Sequence, residues 1–241
     1  MISIDKQKFS SNLSRVFALN GLSSLLSLER SEKLYALTLR MLEENEKYNL
    51  TTILEEREVF YKHFLDSVLP LSMFDLPENA SVIDVGTGAG FPGLVLKTLE
   101  PSLELTLLDS LGKRMNWLEQ ILPQLGVEAE CITARAEEEA LLRRERYDVA
   151  TSRAVARLPI LLELTAPYVK VGGAVLAMKG TAAQEELEEA KNAIRKLGLK
   201  LERVAQFPID DTAHTVIVLK KISATPAQYP RRYAKIKQAP L

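Results

Sequence analysis

Residues 81–93 read SVIDVGTGAGFPG, and this stretch decides how the rest of the chain is interpreted. It begins with the apolar pair Val82-Ile83, which is typical of a buried strand, and Leu94 follows it at the start of a predicted helix. Glycines between a strand and a helix let the backbone turn tightly and approach a ligand without an intervening Cβ. The N-terminus of the following helix adds unpaired N–H groups and a partial positive charge. The stretch therefore predicts a site for a nucleotide-like cofactor.

Two classes of cofactor fit this loop. Gly88, Gly90 and Gly93 have the spacing of dinucleotide-binding folds, and Asp109 lies where an acid would bind a ribose hydroxyl. Asp84 favours a different cofactor, because a pyrophosphate is best bound without a carboxylate at the end of the strand. S-adenosylmethionine carries an ammonium and a sulfonium and no phosphate, and the loop resembles motif I of class I S-adenosylmethionine methyltransferases. A glycine-rich turn without a ligand is the remaining alternative, which the cost of so many glycines disfavours.

The composition is that of an ordinary globular protein. The chain has 241 residues, of which 46% are hydrophobic and 26% charged, enough for one large α/β domain with an extension. No apolar run approaches the roughly 20 residues of a membrane span, and the N-terminus lacks a signal-peptide core, so we expect a cytoplasmic protein without membrane association. The single cysteine, Cys131, is expected to be a core residue, and no Cys/His cluster indicates a metal site. The net charge of −1 means that any nucleic-acid contact must depend on local basic patches.

Residues 1–76 are predicted to form a helical N-terminal extension. Its first helix covers 4–19 and ends at Asn20-Gly21, its second begins at Ser31, and its third covers about 54–72. Pro77 marks the start of the second region, residues 77–241, which is predicted to be a Rossmann-like methyltransferase domain with a basic C-terminal tail.

Strand and helix patterns alternate from residue 81 onward, which indicates an α/β fold with a parallel sheet and helices on both faces. Seven strands whose last member is antiparallel suit the class I S-adenosylmethionine methyltransferase sheet. The predicted strands are 81–85, 104–108, 128–133, 147–151, 173–178, 202–206 and 213–220. The predicted helices are 91–99, 112–124, 135–143, 157–169 and 182–197.

Polar residues follow the carboxyl ends of these strands, where the ligand crevice of such a sheet lies. Asp109 follows the second strand and is placed to accept hydrogen bonds from ribose hydroxyls. Ala136 and Glu137 follow the third strand, at the expected adenine edge. The fourth strand is followed by Ser152-Arg153-Ala154 and not by the Asn/Asp-Pro-Pro-aromatic loop of enzymes that methylate exocyclic base amines. Exocyclic amine chemistry is therefore disfavoured.

Six spaced motifs resemble the RsmG family, also called GidB, the ribosomal RNA small subunit methyltransferases G. The resemblance runs from about Tyr48 to the C-terminus, in the family's order. The motifs are Asn49-Leu50-Thr51, His63-x-x-Asp66-Ser67, DVGTGAGFPG, LLDSLGKR, SRAVA and Met178-Lys179-Gly180. The resemblance implies N7 methylation of a guanine in 16S rRNA, conventionally position 527 in the 530 loop, by S-adenosylmethionine. It also implies that the partner is 16S rRNA or the small-subunit ribonucleoprotein, and no obligate protein partner is predicted.

The resemblance also assigns cofactor contacts, and the chemistry of the fold adds to them. The family's motifs place Gly86, Phe91, Ala136, Glu137 and Arg153 at the cofactor. The chemistry of the fold adds Asp84 and Asp109, and the predicted site also includes Gly88, Ser110 and Leu111.

The implied chemistry needs little from the protein beyond positioning. Guanine N7 has a free lone pair in the neutral base, so neither a catalytic base nor a covalent cysteine is required. The expected reaction is a direct in-line methyl transfer without a covalent intermediate. Arg153 is the candidate catalytic residue, with a positioning role toward a phosphate, the O6 of the base or the cofactor carboxylate. The alternatives are another nucleic-acid or small-molecule methyltransferase of the same fold, a non-catalytic ribosome-assembly factor and an NAD-dependent oxidoreductase on a Rossmann fold.

The C-terminal fifth of the chain is strongly basic. Residues 191–241 contain eleven Lys and Arg against three acids, a net charge of +8. Tyr229 and Tyr233 lie among the basic residues, which suits phosphate contact combined with base stacking. A tail that is merely soluble is the alternative. The predicted RNA-binding residues are Arg231, Arg232, Lys235 and Lys237.

Several other polar residues have a structural interpretation. His63 is expected either to be a structural residue hydrogen-bonded to Asp66 or to bind the substrate. His214 opens the last strand without a visible acid partner and is predicted to be structural. The acidic run 185–189 is predicted to be a solvated helix face, and the arginines within 143–146 are balanced by nearby acids and predict no RNA patch.

Overall fold

The structure is a computed structural model that describes residues 4–209 and 212–241. Its strands form one seven-stranded sheet in the order β3-β2-β1-β4-β5-β7-β6. They are β1 (Ser81–Val85), β2 (Glu104–Asp109), β3 (Glu130–Thr133), β4 (Tyr147–Arg153), β5 (Val169–Lys179), β6 (Leu199–Ile209) and β7 (Thr212–Lys221). Strands β1 to β5 pair in parallel, whereas β7 is antiparallel to both β5 and β6. The predicted α/β class and its antiparallel final strand are confirmed.

The helices precede, connect and follow these strands. They are α1 (Lys6–Leu19), α2 (Leu28–Asn45), α3 (Glu56–Glu58), α4 (Asp66–Val68), α5 (Gly93–Leu99), α6 (Gly112–Leu125), α7 (Ala136–Leu142), α8 (Leu158–Thr165), α9 (Ala183–Glu189), α10 (Lys191–Lys196) and α11 (Tyr233–Gln238). A π-helix (Val59–Leu65) connects α3 to α4, and short 3₁₀ turns lie at Ser23–Leu25, Leu69–Ser72 and Ala166–Tyr168. None of the helices in the described ranges is long and apolar enough to cross a membrane.

Successive residues of each central strand enter two different cores, one on each face of the sheet. In β1, Val82 packs with the N-terminal helices, α5 and α6, whereas Ile83 packs with α8, α9 and α10. This alternation follows from the two-residue period of a strand, and both side chains are fully buried. The near-continuous apolar run of β1 is therefore explained by burial on both faces.

The N-terminal helices begin at capping residues. Asp5 caps α1 by accepting a hydrogen bond from the Lys8 N–H at 2.7 Å, and Ser27 caps α2 through the Arg30 N–H at 3.2 Å. The second helix therefore begins three residues before the predicted Ser31, because its cap is Ser27. The predicted single helix over 54–72 is instead a series of short α, π and 3₁₀ turns.

Two further differences lie in the C-terminal half. The predicted helix 182–197 is divided at Ala190 into α9 and α10. The C-terminal tail is ordered and contains α11, which the sequence analysis did not predict. The prediction that a domain boundary separates 1–76 from 77–241 stays a prediction, although the core on one face of the sheet includes residues from both regions.

Candidate cofactor and acceptor site

The glycine loop at the end of β1 adopts a backbone conformation that is strained for any residue with a Cβ. Gly86 has φ +74°, and a Cβ there would overlap the side chain of Val155 on the loop that follows β4. Its N–H donates to the Leu108 carbonyl at 2.8 Å, which ties the loop to β2. Gly93 serves a different purpose, since a Cβ there would lie 2.9 Å from Cβ of Asp84. The absence of a side chain at Gly93 lets α5 pack closely against β1.

Asp84 supports this loop from beneath and does not face the cavity. Its side chain is fully buried, and Oδ2 accepts hydrogen bonds from Thr87 Oγ1 at 2.7 Å and from the Gly93 N–H at 2.9 Å. Burial raises the pKa of Asp84 to about 6. The expectation that Asp84 contacts the cofactor directly is therefore corrected, because the carboxylate is used to close the glycine loop onto α5.

Asp109 connects two loops at the end of β2. Its Oδ2 accepts from the Gly88 N–H at 3.0 Å, and its Oδ1 accepts from the Leu111 N–H at 2.9 Å. Arg114 lies 3.4 Å from the same carboxylate. The side chain borders a cavity of about 500 Å³, a size typical of ligand pockets. Asp109 thus fixes the loop geometry and presents a charged acceptor at the cavity wall.

The cavity lies at the carboxyl ends of β1 to β4, as the position of the polar residues predicted. Nine of the ten predicted cofactor residues line it, and Asp84 is the exception. The nine are Gly86, Gly88, Phe91, Asp109, Ser110, Leu111, Ala136, Glu137 and Arg153. The structure thus brings together residues from four strand ends that lie far apart in the sequence.

Glu137, at the start of α7, carries a buried oxygen without a partner. Its Oε1 accepts from Arg135 Nε at 3.2 Å, whereas Oε2 is buried and has no hydrogen-bond partner within the described residues. An unpaired buried carboxylate oxygen is costly, so a ligand that donates an N–H there would relieve the cost. Glu137 is therefore suited to the amino group of a bound ligand.

Arg153 joins the end of β4 to the π-helix. Its Nη1 donates to the Lys62 carbonyl at 2.7 Å and to Asp66 Oδ2 at 2.8 Å, and its Nη2 contacts His63 Nδ1 at 3.1 Å. The guanidinium also lies 5.4 Å from the centroid of the Phe91 ring. Three of its five N–H groups are thereby used within the protein. The Nε–H and one Nη2–H remain available in a residue that lines the cavity.

His63 is a neutral imidazole whose tautomer follows from its neighbours. Because arginine only donates, Nδ1 accepts from Arg153, and the proton lies on Nε2, 3.1 Å from Thr51 Oγ1. Burial, aided by the charge of Arg153, lowers the pKa of His63 to about 3. The ring stacks on Phe91 with centroids 4.2 Å apart. Of the two alternatives for His63, the hydrogen bond to Asp66 is not formed, because Nδ1 of His63 accepts from Arg153 and the oxygens of Asp66 bind Arg153 and His214.

Asp66 is the shared acceptor of this network. Its Oδ1 lies 2.7 Å from His214 Nδ1, and its Oδ2 accepts from Arg153. The hydrogen bonds of His214 and Arg153 hold the pKa of Asp66 below its usual value despite burial. The prediction that His214 lacks an acid partner is wrong, because the fold brings Asp66 to it from 148 positions away.

The loop after β4 is strained at Ala154, whose φ of +55° is unfavourable for a residue with a Cβ. Ala154 lines the cavity between Arg153 and Val155. Strained residues of this kind cluster at functional sites, where the surrounding structure holds them in place. The strain is consistent with a loop shaped for binding.

The C-terminal tail is fastened by an ion pair in the core. Arg231 Nη2 lies 2.6 Å from Oε2 of the fully buried Glu163, and the Arg231 N–H and Nε both donate to Oε1 at 2.8 Å. Arg144 donates to tail carbonyls, including that of Tyr229 at 2.7 Å. The guanidinium of Arg231 is therefore a structural anchor, and its predicted role at RNA phosphates stays a prediction.

The other three basic residues of the tail differ from Arg231. Arg232, Lys235 and Lys237 are exposed and form no ion pair within the described residues. Beside them, Tyr233 lines the cavity, with Cζ of Arg135 4.5 Å from its ring centroid. The three exposed cations are therefore close in sequence to Tyr233, which lines the cavity.

Sequence reasoning missed the roles of Thr51 and Tyr233 in the cavity wall. Thr51 belongs to a motif quoted for the family, which was the available signal, whereas Tyr233 was interpreted only as an RNA-stacking residue. Cys131 lies half-buried in β3. Burial raises the pKa of its thiol to about 11, so it is a neutral structural group.

The strand order, the glycine loop and the cavity at the strand ends define a class I S-adenosylmethionine methyltransferase. Solved structures support this fold. A methyltransferase from Galdieria sulphuraria, described as a putative sarcosine dimethylglycine methyltransferase, matches 70% of this chain and 88% of its own with a TM-score of 0.55 and 13% identity. The structure of TYW2 from M. jannaschii in complex with AdoMet matches 65% of this chain and 77% of its own, with a TM-score of 0.53 and 16% identity.

The chain belongs to the family described as rRNA small subunit methyltransferase G, or GidB, whose model matches residues 30–214. A ribosomal RNA small subunit methyltransferase G from Thermoanaerobacter sp. (strain X514) is 44% identical over 222 residues, covering 90% of this chain and 91% of the relative. Its counterpart from Alkaliphilus metalliredigens is 47% identical over 197 residues, covering 80% and 82%. The family predicted from the sequence motifs is confirmed, and the cofactor is S-adenosylmethionine.

Proposed function

We propose that the chain transfers the methyl group of S-adenosylmethionine to N7 of a guanine in 16S rRNA, conventionally position 527 in the 530 loop. The observation that carries the proposal is that His63 and Asp66, the two titratable side chains that contact Arg153 among the described residues, are both fully engaged within the protein. His63 is neutral, and both of its ring nitrogens are engaged by Arg153 and Thr51. Both oxygens of Asp66 are likewise occupied. Such a site suits a nucleophile that already has a free lone pair, as guanine N7 does.

The cavity residues fit S-adenosylmethionine. Asp109, at the end of β2, would accept from the ribose hydroxyls, and the unpaired Oε2 of Glu137 would accept from the adenine amino group. The remaining donors of Arg153 would hold the cofactor carboxylate or the O6 of the base. Bound S-adenosylmethionine supplies an electrophilic methyl group on a positively charged sulfur. The protein's contribution is then to hold the two reactants in line in a water-poor pocket.

The substrate is ribosomal RNA, and we infer that it is presented by the small-subunit ribonucleoprotein. Arg232, Lys235 and Lys237 are exposed, lie close in sequence to the cavity-lining Tyr233 and suit contact with phosphates. Phosphate contacts position a protein on RNA without selecting sequence, so the target must be selected elsewhere. A cytoplasmic location is part of the same proposal.

The test is methyl transfer to small-subunit particles from cells that lack the modification, followed by mapping of N7-methylguanine in 16S rRNA. We expect one modified guanine in the 530 loop. The variant Asp109→Ala should bind S-adenosylmethionine about 5- to 150-fold more weakly, because the ribose hydroxyls lose a charged acceptor. Methylation at another atom or another site by the parent protein, with normal cofactor binding, would contradict the proposal.

A further inference from the structure

A second cavity lies beside the cofactor cavity. It has a volume of about 590 Å³ and is bordered by the loop after β4, the end of β5 and the first turns of α9. The two cavities share Arg153, Ala154 and Val155. The two cavities therefore adjoin along this strained loop, and the second cavity has room for one purine base.

Glu186 borders the second cavity with one oxygen unused. The residue lies on α9 and is only 9% exposed, which corrects its predicted place on a solvated helix face. Its Oε2 accepts from the Leu158 N–H at 2.7 Å and lies 2.6 Å from Lys179 Nζ. Its Oε1 has no hydrogen-bond partner among residues 4–209 and 212–241. The other carboxylate of this cavity, Asp66, has both oxygens occupied.

Lys179 holds this carboxylate in place. Its Nζ donates to the Ala156 carbonyl at 2.6 Å, so the ammonium bridges the loop after β4 and α9. The side chain of Lys179 is nearly buried, and its ammonium fixes the position of Oε2 of Glu186. A carboxylate with one free oxygen at the wall of a cavity is a strong acceptor for N–H groups.

We propose that Glu186 accepts hydrogen bonds from the N1–H and N2–H groups of the acceptor guanine and thereby selects guanine at this site. The inference rests on the proposed function. Guanine carries N7 on one side of its ring system and N1–H and N2–H on the other, so a base with N7 toward the cofactor turns these donors away from it. Adenine presents a lone pair at N1 and a C–H at position 2. Neither group donates an N–H to the carboxylate, and the N1 lone pair would face it as a second acceptor.

Inosine provides the sharpest test, because it retains N7, O6 and N1–H and lacks only the N2 amino group. Small-subunit particles are reconstituted with 16S rRNA that carries guanine or inosine at the target position, and the rate of methyl transfer is measured. The parent protein should methylate guanine about 10- to 100-fold faster than inosine, as expected for a lost hydrogen bond to a charged acceptor. Glu186→Ala should methylate both slowly and at nearly equal rates.

The controls separate recognition from folding. Glu185→Ala changes a neighbouring acid on α9 that is 69% exposed and paired with Arg157, and it should retain the parental preference for guanine. Glu186→Gln retains an acceptor oxygen without the charge and should give an intermediate ratio, which serves if Glu186→Ala fails to fold. Affinity for S-adenosylmethionine should be unchanged in Glu185→Ala and Glu186→Gln, since neither residue lines the cofactor cavity and Gln can still accept from the Leu158 N–H.

The outcomes distinguish this inference from the function on which it rests. A parental guanine-to-inosine ratio near one, or an unchanged ratio in Glu186→Ala and Glu186→Gln, would overturn the role of Glu186. A parent protein that forms no N7-methylguanine at all would overturn the proposed function itself.

Discussion

At the residue scale, two buried groups near the cavity have pKa values shifted in opposite senses by burial. The pKa of His63 is lowered to about 3 and that of Asp84 is raised to about 6. In each case the neutral form is favoured because the charged form would lose hydration. The two shifts have opposite consequences for stability in acid, and His63 can be isolated by substitution.

His63 should make the protein less stable as the pH falls below about 6.5, the usual pKa of histidine. Its folded pKa of about 3 is below that value, so in this range the unfolded chain binds a proton that the folded chain does not. The stability contributed is present above pH about 6.5 and is lost progressively toward pH 3. Between pH 7 and pH 5, the parent should lose about 2 kcal/mol more free energy of unfolding than His63→Gln, measured by urea denaturation. Equal losses in the two proteins would mean that His63 takes up a proton in the fold.

At the element scale, the tail is held to the body by the contact of Arg231 with Glu163, which is fully buried, whereas Arg231 is 24% exposed. Arg231→Gln should destabilise the protein by about 3 kcal/mol, because it leaves a buried carboxylate unpaired. The double variant Arg231→Gln/Glu163→Gln should regain part of the lost stability, since the unpaired buried carboxylate is then replaced by a neutral amide. Thermal or urea unfolding of the two single variants and the double variant measures the coupling. Additive effects in this cycle would show that the pair does not hold the tail.

The exposed face of the tail gives a separate prediction about RNA. Changing Arg232, Lys235 and Lys237 together to Gln should weaken binding to small-subunit particles and lower the salt dependence by up to roughly three units of slope. Affinity for S-adenosylmethionine should stay within about twofold, because none of the three lines the cofactor cavity. The control is Lys8→Gln, an exposed cation on α1 that, like the three tail residues, forms no ion pair within the described residues. A parental salt slope in the triple variant would place the RNA surface elsewhere.

Elements with a strong local signal were predictable from the sequence, and those that depend on distant contacts were not. The glycine loop and β1 follow from a buried apolar run and the backbone freedom of glycine, so their position was predicted correctly. Helix α11 has only six residues and is fixed by the anchored tail around it, so its own sequence carries little signal. The contact between Asp66 and His214 joins residues 148 positions apart, and no local pattern contains it.

At the scale of the whole molecule, the helical extension and the sheet share one apolar core. Phe9, Leu34 and Phe64 from the extension belong to the same buried cluster as Val95 and Leu118 from α5 and α6. The same two parts are joined in the site, where Arg153 of β4 binds the π-helix. The stability of the protein and the geometry of the site therefore both depend on the contact between the helical extension and the sheet region.

This shared core predicts that residues 77–241 alone do not fold to a functional domain. Removal of the extension would expose apolar side chains on α5 and α6, such as Val95 and Leu118. Each large apolar side chain that is exposed costs about 1.5–3 kcal/mol, so the exposure of about four of them costs about 6–12 kcal/mol. That loss is comparable to the total stability of a typical domain, about 5–15 kcal/mol. The fragment should therefore lack cooperative thermal unfolding and should not bind S-adenosylmethionine, because His63 and Thr51 are also missing from the cavity wall.

The control is the same fragment mixed with residues 1–76 supplied as a separate chain. If the lost core surface is the cause, the second fragment should restore a cooperative transition and cofactor binding, because it carries Phe9, Leu34 and Phe64 back to their partners. Circular dichroism on heating and titration calorimetry with S-adenosylmethionine measure the two properties. If 77–241 instead unfolds cooperatively and binds the cofactor with the affinity of the full chain, the two predicted regions are independent domains, and the extension contributes only to recognition of RNA.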